Sequence, residues 1–520
     1  MPTAPSTLPD NIIALKALLL AERDARQSAE VVATQERARG DRLERLLKEM
    51  QRALFGRRSE RLDPDQLHLV LEDLEGAIAE TEAEKPVAKP RPRRRNTNRG
   101  ALPKHLPREE VTIEPETTLC SCGGDLHRIG EDRSERLDVI PAQFRMIVTV
   151  RPKYGCRACE GGVVQAPAPA RLIEGGMPTE ALVAHVLVSK YADHLPLYRQ
   201  AQIMSRQRID LDRSTLADWV GRAAFELRPV FERLVKHLKA STKLFMDETK
   251  APVLDPGRKK TKSGYLWALA RDDRPWGGAD PPDVAYFYAP SRGGKHAEHF
   301  LADFSGVLQV DGYAGYNRLT NPTRTDGLIE LAYCWAHARR KLYEIAQSGT
   351  APIAEDGLKQ IAKFYKIEAD IRGQSPEHRL GIRQAQTKPL IEDFEEWVDK
   401  MRARVSGGSR LGEALCYIAK HREGLKRFLD DGRIEIDSNV VERSSRPIAL
   451  NRKNALFAGH DEGAKNWGMI ASLIETCKLN GINPQAYLEA ALSHIVHGHP
   501  QSRIDELLPW AYEQSPVNVA

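Results

Sequence analysis

The sequence lacks any apolar run long enough to cross a bilayer. Its longest such run, Ile12–Ala21, falls well short of the roughly 20 residues that a transmembrane helix needs, is interrupted by Lys16 and has no basic segment before it. A membrane anchor and a signal peptide are therefore not expected, and we predict a cytoplasmic protein.

Cysteine is also scarce, and the count of seven is odd, which argues against a disulfide framework and for a reducing compartment. Four of the seven form two close pairs, Cys120 with Cys122 and Cys156 with Cys159. Two such pairs can surround one tetrahedral Zn²⁺ and hold together a small module. Only the second pair has the usual spacing of two residues, so free structural thiols are the alternative.

Net positive charge is low, at +5 with a pI near 8.7, so the total alone does not indicate a nucleic-acid partner. The distribution is more informative. The segment from Lys85 to Arg108 contains nine Lys or Arg, five Pro and no acidic residue. This composition predicts an extended linker that contacts DNA phosphates, or else one that only keeps the chain in solution.

Two helical regions suggest partners. In residues 10–55, leucines recur at steps of three and four, which predicts a partly frayed coiled coil and self-association, or a helix that packs on its own domain. Residues 197–224 predict two short helices joined around Arg208–Asp212, with Ser214 as the cap of the second. A helix-turn-helix would place Ser214–Ala224 in a major groove and bury Leu216, Trp219 and Val220, whereas an ordinary helical pair would have the same pattern.

From Lys243 onward, short strands alternate with helices and deliver acidic residues at their ends. We expect one strand at 243–248 that ends in Asp247, and a second in the stretch 307–316 (VLQVDGYAGY) that delivers Asp311 at its end. The stretch 146–150 (MIVTV) is a further strand candidate, nearer the cysteine pairs. Strand ends of parallel sheets are where sites assemble, although Asp311-Gly312 is also a common turn sequence.

A third carboxylate, Glu442, lies within a strongly basic stretch. Its neighbours in the sequence are cations: Arg433, Arg443, Arg446, Arg452 and Lys453. Three carboxylates supplied by two strands and one helix suit a pair of Mg²⁺ ions (or Mn²⁺) acting on a phosphodiester. The alternative is an exposed helix with ion pairs such as Glu442 with Arg446, and Glu435 and Glu475 are rivals for the third position.

The chain resembles the insertion-sequence-66 family of bacterial transposases over nearly its whole length. The stretches that carry this resemblance are LFGRRSERL (54–62), the cysteine pairs, RPKYGCRACE (151–160), RIDLDRSTLADWVG (208–221), MDET (246–249), VDGYAGY (310–316), CWAHARRK (334–341), NVVERSSRPIALNRKNALFAG (439–459) and SLIETCKLNGINPQAYL (472–488). The family implies a ribonuclease-H-like core with a DDE triad on Asp247, Asp311 and Glu442, supported by Cys334 and His337. The first cysteine pair departs from the usual family spacing.

The resemblance and the carboxylate layout together predict a transposase that cleaves DNA at its element's ends and joins the freed 3′-hydroxyl to target DNA. The expected DNA-contacting cations are Arg213, Arg292, Lys295, Arg443, Arg446, Arg452 and Lys453. A catalytically inactive DNA-binding regulator and a host nuclease of the same fold are the alternatives.

The predicted fold is a multidomain α+β chain with a ribonuclease-H-like α/β core. The expected segments are a coiled-coil region (1–84), a basic linker (85–110), a zinc-ribbon-like module (111–172), a helix-turn-helix (173–240), the first part of the core (241–345), a helical insertion (346–432), the second part of the core (433–482) and a helical tail (483–520). We expect binding to terminal inverted repeats and target DNA, a homo-oligomer of at least two subunits, accessory proteins of the same element, and association with the nucleoid.

Overall fold

The computed structural model describes residues 110, 112, 143–155, 163–255, 257, 260–322, 324–325, 327–347, 349 and 351–512. The predicted coiled coil, the basic linker and all four paired cysteines lie outside these residues. The described residues before Pro169 belong to one compact unit, and those from Pro169 onward belong to another. None of the described helices is both long and apolar enough to span a bilayer.

The first unit contains a small antiparallel ribbon of two strands, β1 (Lys153–Gly155) and β2 (Val163–Gln165). The side chain of Arg151 donates to the carbonyl oxygen of Ala166 at 2.8 Å, beside this ribbon. The strand predicted at 146–150 is wrong, because residues 143–150 form no regular element and expose their apolar side chains.

The second unit is built on a mixed sheet of five strands: β3 (Lys243–Asp255), β4 (Lys260–Arg271), β5 (Asp283–Ala289), β6 (Gly306–Val310) and β7 (Ile329–Tyr333). Their order across the sheet is β5-β4-β3-β6-β7. The first three form an antiparallel meander, and β6 and β7 continue the sheet in parallel with β3.

Thirteen described helices surround this sheet: α1 (Glu180–Tyr191), α2 (Leu197–Ser205), α3 (Arg213–Lys239), α4 (Lys295–Phe300), α5 (Trp335–Gln347), α6 (Pro352–Asp370), α7 (Pro376–Ile382), α8 (Lys388–Arg402), α9 (Arg410–Lys420), α10 (Arg422–Lys426), α11 (Asn439–Ala455), α12 (Asp461–Leu479) and α13 (Pro484–Val496). Short 3₁₀ or π segments connect several of them. The chain therefore places a large helical region between β7 and α11.

Helix α3 differs from its prediction at both ends. Asp212, not Ser214, is the N-cap, because its carboxylate accepts a hydrogen bond from the backbone N–H of Ser214 at 2.8 Å. The helix then continues to Lys239, well beyond the expected end at Ala224. The buried face was predicted correctly, since Leu216, Trp219 and Val220 are all buried.

The two faces of the sheet carry different layers. On one face, an apolar core joins Leu244 and Met246 of β3 to α4 and to the end of α3. On the other, α12 packs closely on β5, where the Ser472 hydroxyl accepts a hydrogen bond from the Tyr286 N–H at 2.8 Å. Gly468 permits this approach, since a Cβ there would lie 2.7 Å from the Tyr286 carbonyl oxygen.

The helices between β7 and α11 share a core of their own with α5. Trp335, Phe364 and Phe394 form its aromatic centre, with ring centroids 5.2 to 5.7 Å apart. Beside it lies a buried ion network in which Arg379 binds Glu435 at 2.8 Å and Arg383 binds Glu368 at 2.6 Å. This packing fixes the helical region against the start of α5, where the chain leaves the sheet.

Candidate active site

Three neighbouring parallel strands bring polar residues to one level at their carboxyl ends. Phe245 of β3 pairs with Gln309 of β6, and Val310 of β6 pairs with Tyr333 of β7. Continued along the strands, it sets Asp247 level with Asp311, and Asp311 level with Cys334. Because adjacent strands lie about 4.8 Å apart, these three residues come to one edge of the sheet.

The prediction that a strand ends at Asp247 is wrong. Strand β3 runs on to Asp255, because its second half pairs with β4 as far as Asp255 and Lys260. Only its pairing with β6 ends before Asp247, after Phe245. Asp247 thus lies inside a long strand, just beyond the last residue of β3 that pairs with β6.

Asp311 is oriented by the turn that follows β6. The backbone N–H of Tyr313 donates to its Oδ1 at 2.8 Å, and the Tyr417 hydroxyl donates to its carbonyl oxygen at 2.7 Å. Gly312 adopts φ of +87°, and a Cβ there would lie 2.8 Å from the Tyr417 hydroxyl. Asp311-Gly312 can therefore form a turn and also supply a carboxylate to a site, since the turn holds that carboxylate in place.

Helix α11 packs along β3 and presents two polar side chains, one turn apart, to this edge. The Ser445 hydroxyl donates to Asp247 Oδ2 at 3.3 Å. Glu442, three residues earlier, is only 8% exposed and accepts a hydrogen bond from the Ser438 hydroxyl at 3.1 Å. This burial contradicts the alternative in which Glu442 belongs to an exposed helical face.

Glu442 lies closest to the two residues that were expected to support the site. His337 Nδ1 is 3.5 Å from Glu442 Oε1, and Cys334 Sγ is 4.0 Å from the same oxygen. In the part of the chain that the structure describes, these three form the set of potential metal ligands whose donor atoms all lie within 4.8 Å of one another. Asp247 and Asp311 lie outside that set. Burial, chiefly, and the nearby Glu442 carboxylate raise the pKa of the Cys334 thiol.

The two rival glutamates have other partners. Glu435 binds the buried Arg379, and its backbone pairs with the side chain of Gln309 at 2.9 Å in both directions. Glu475 forms an ion pair with Lys478 at 2.8 Å within α12. Both contacts are those of structural carboxylates.

Glu248 is a fourth carboxylate near this edge that the sequence did not reveal. Its side chain is fully buried on the opposite face from Asp247, where it accepts hydrogen bonds from Arg292 Nε at 2.6 Å and from the Tyr316 hydroxyl. Burial, and then the Asp311 carboxylate, raise the pKa of Glu248 to about 7 despite these two donors. The only signal in the sequence was its place in the MDET stretch.

Arg292, a predicted DNA contact, lies between two carboxylates. Besides its bond to Glu248, its Nη2 is 3.9 Å from Asp311 Oδ2, and its guanidinium stacks 4.1 Å from the centre of the Tyr313 ring. Its side chain is still 45% exposed. Arg292 therefore places positive charge beside Asp311 while keeping one side open to solvent.

The other predicted cations differ in their exposure. Those with exposed surfaces are Arg213, Lys295, Arg443 and Lys453. Arg446 and Arg452 are half-buried, and Arg452 donates to the carbonyl oxygen of Lys250 at 2.9 Å. Arg433 does not join the group around Glu442 in the way its sequence position suggested, because it binds Asp431 at 2.7 Å.

Four family models match the chain. One described as "Transposase IS66 family" matches residues 175–466, which includes every residue of the edge described above. A zinc-finger binding domain of transposase IS66 matches 117–160 and spans the four paired cysteines. A model described as "Transposase C of IS166 homeodomain" matches 42–111, and an IS66 C-terminal element matches 472–510.

Whole-chain relatives come from Sinorhizobium fredii. The uncharacterized protein y4qI is 42% identical and covers 98% of both chains. The uncharacterized protein y4jD is 45% identical over 91% of this chain and 94% of its own, and y4hP is 38% identical over 91% and 89%. The similarity therefore extends over the whole architecture.

Proposed function

This chain belongs to the IS66 family of transposases, and on that premise we propose that it cleaves DNA at its element's ends and joins them to target DNA by a DDE mechanism. Asp247, Asp311 and Glu442 would be the three carboxylates. The observation that carries the proposal is the parallel pairing of β3 with β6, whose last pair, Phe245 with Gln309, lies two residues before Asp247 and Asp311. Ser445 of α11 reaches Asp247 at the same edge.

The donor chemistry of the three residues fits Mg²⁺ or Mn²⁺. These hard cations prefer carboxylate oxygens, and the three side chains offer oxygen donors only. Bound there, a pair of such ions would stabilise charge on the attacking and leaving oxygens of a phosphodiester in an in-line displacement.

The chain's own contribution is to hold each carboxylate in a fixed orientation before DNA arrives. Each of them accepts a hydrogen bond from a nearby group: from Ser445 for Asp247, from the Tyr313 N–H for Asp311, and from Ser438 for Glu442. Such support fixes the metal-binding carboxylates to the precision that catalysis needs. A serine or tyrosine nucleophile is not required by this chemistry, since the attacking groups are water and the 3′-hydroxyl.

The order of the strands supports a ribonuclease-H-like core, with three antiparallel strands followed by two parallel ones. The helices α2 and α3 are in turn proposed as the helix-turn-helix. The exposed cations Arg443 and Lys453 share α11 with Glu442, so we assign them to phosphate contacts.

The partners proposed are the terminal inverted repeats, the target DNA and a second copy of the chain. The leucine spacing in residues 10–55 supports self-association through the N-terminal region. The zinc-finger match supports Zn²⁺ at Cys120, Cys122, Cys156 and Cys159.

The test is a Mg²⁺-dependent cleavage and strand-transfer assay on DNA that carries the element's ends. Asp247→Asn and Glu442→Gln are expected to lose both activities and to retain DNA binding. Glu475→Gln is the matched control, because it changes a half-buried glutamate of the neighbouring helix α12. Full activity in Asp247→Asn, or loss in Glu475→Gln alone, would contradict the assignment.

A further inference from the structure

The cluster of Cys334, His337 and Glu442 has a donor set that differs in kind from that of the proposed magnesium site. We propose that these three residues bind a transition metal of intermediate softness, Zn²⁺ above all, and that this ion withdraws Glu442 from the magnesium-dependent reaction. The second half of this statement depends on the function proposed above, whereas the first half does not.

The chemistry of the donors selects the metal. Thiolate sulfur and imidazole nitrogen are good ligands for Zn²⁺ and poor ones for Mg²⁺. The cluster offers three protein ligands, from Cys, His and a carboxylate. Zinc sites that exchange a ligand also have three protein ligands and an open fourth position. The cluster therefore discriminates against the ion that the aspartates favour.

The spacing of the donor atoms suits one tetrahedral ion. Bonds of about 2.0–2.3 Å would set pairs of donor atoms about 3.3–3.6 Å apart. The distances from Glu442 Oε1 are 3.5 Å to His337 Nδ1 and 4.0 Å to Cys334 Sγ. The sulfur would need to approach this oxygen by a few tenths of an ångström, and all three donor atoms already lie within 4.8 Å of one another.

The surrounding residues hold these donors in place. Ser438 contacts two of them, through its backbone N–H to Cys334 Sγ at 3.2 Å and its hydroxyl to Glu442 Oε1 at 3.1 Å. Both donations would stabilise the negatively charged form of a metal ligand. The Trp335 N–H also donates to the Ile436 carbonyl oxygen at 3.0 Å, which ties the start of α5 to the segment before α11.

An ion can reach the cluster through its histidine. The His337 side chain is 22% exposed, while that of Glu442 is 10% exposed and Cys334 is buried. Since one carboxylate cannot serve both metals in its productive orientation, occupation of this cluster is expected to reduce cleavage in Mg²⁺.

The first experiment measures zinc bound to the full chain against a competing chelator. Cys334→Ser and His337→Ala are each expected to lose one class of bound Zn²⁺, with affinity at least about 100-fold lower. Even the loss of a residue that only hydrogen-bonds to a metal ligand costs about 10- to 100-fold. Cys477→Ser is the matched control, since it replaces another buried free thiol, in α12. The four paired cysteines contribute the same background to all three variants.

Co²⁺ provides a spectroscopic readout that does not depend on activity. Its sulfur charge-transfer absorption should fall in Cys334→Ser and stay unchanged in Cys477→Ser. Equal zinc binding and equal cobalt spectra in Cys334→Ser, His337→Ala and the control would overturn the proposed site. His337→Ala guards against a folding defect, because it truncates a partly exposed side chain.

The coupling to catalysis is tested separately. The Zn²⁺ concentration that halves Mg²⁺-dependent cleavage should rise in His337→Ala, with each protein normalised to its own rate without zinc. An unchanged value would overturn the coupling. If the wild-type chain cleaved nothing in Mg²⁺ while Cys334→Ser still lost its zinc, the proposed function would fail and the metal site would stand.

Discussion

Replacing Gly312 by alanine should damage both stability and catalysis, because two separate constraints act on this residue. Its φ of +87° is unfavourable for any residue with a Cβ, and that Cβ would lie 2.8 Å from the Tyr417 hydroxyl. The positive φ costs an alanine about 1–2 kcal/mol of stability, and the crowding of its Cβ against Tyr417 costs roughly 1–3 kcal/mol more. We therefore expect the free energy of unfolding to fall by roughly 2–5 kcal/mol.

The catalytic effect follows from what Tyr417 holds. Its hydroxyl donates to the carbonyl oxygen of Asp311, so a side chain that displaces Tyr417 also moves Asp311. A misplacement of about 1 Å can cost about 100-fold in rate. The loss should appear in the Mg²⁺-dependent cleavage assay at temperatures where the variant is still folded.

Two other glycines separate these causes. Gly373 has φ of +79° with no atom within 4 Å of a built Cβ, so Gly373→Ala should show the backbone cost alone and keep cleavage activity. Gly381, in α7, also has open space and no positive φ, so Gly381→Ala should be neutral or stabilising by up to about 1 kcal/mol. Urea denaturation of the three variants measures these differences. If Gly312→Ala proved no less stable than Gly373→Ala and cleaved DNA at the wild-type rate, the reasoning about this turn would be wrong.

Three further substitutions probe the supports of the site. Phe394→Ala empties the aromatic centre of the helical region and should cost about 3–5 kcal/mol in urea denaturation; a cost under about 1 kcal/mol would mean that this core is not tightly packed. Arg379→Met removes the partner of the buried Glu435 and should cost about 3–5 kcal/mol in urea denaturation. Ser445→Ala removes the hydrogen bond to Asp247 and should slow cleavage while leaving the urea midpoint nearly unchanged; an unaltered rate would show that Asp247 is oriented by other groups.

The family and the order of strands and helices could be predicted from the sequence because both depend on local patterns. The apolar run before Asp311 indicated β6, and Asn483-Pro484 indicated the start of α13, whose N-cap is indeed Asn483. The apolar face of α3 was visible from the spacing of Leu216, Trp219 and Val220 for the same reason.

Features that depend on distant partners were missed. The continuation of β3 past Asp247 is fixed by its pairing with β4. The residues of this continuation include a lysine and a proline, so their sequence does not indicate a strand. Glu248 resembled an ordinary neighbour of Asp247 until its contacts with Arg292 and Tyr316 were seen. Arg433 was grouped with Glu442 by sequence proximity, yet its guanidinium bonds to Asp431, two residues before it.

The position of α11 near the end of the chain has a consequence for protein synthesis. A ribosome completes β3, β6 and β7, and then the helices from α6 to α10, before Glu442 is made. Under the proposed mechanism, a polypeptide released early therefore contains both strand aspartates but no third carboxylate. Under that mechanism, gene copies broken upstream of Asn439 would yield products unable to cleave DNA, because translation must pass Glu442 before the three carboxylates are present in one chain.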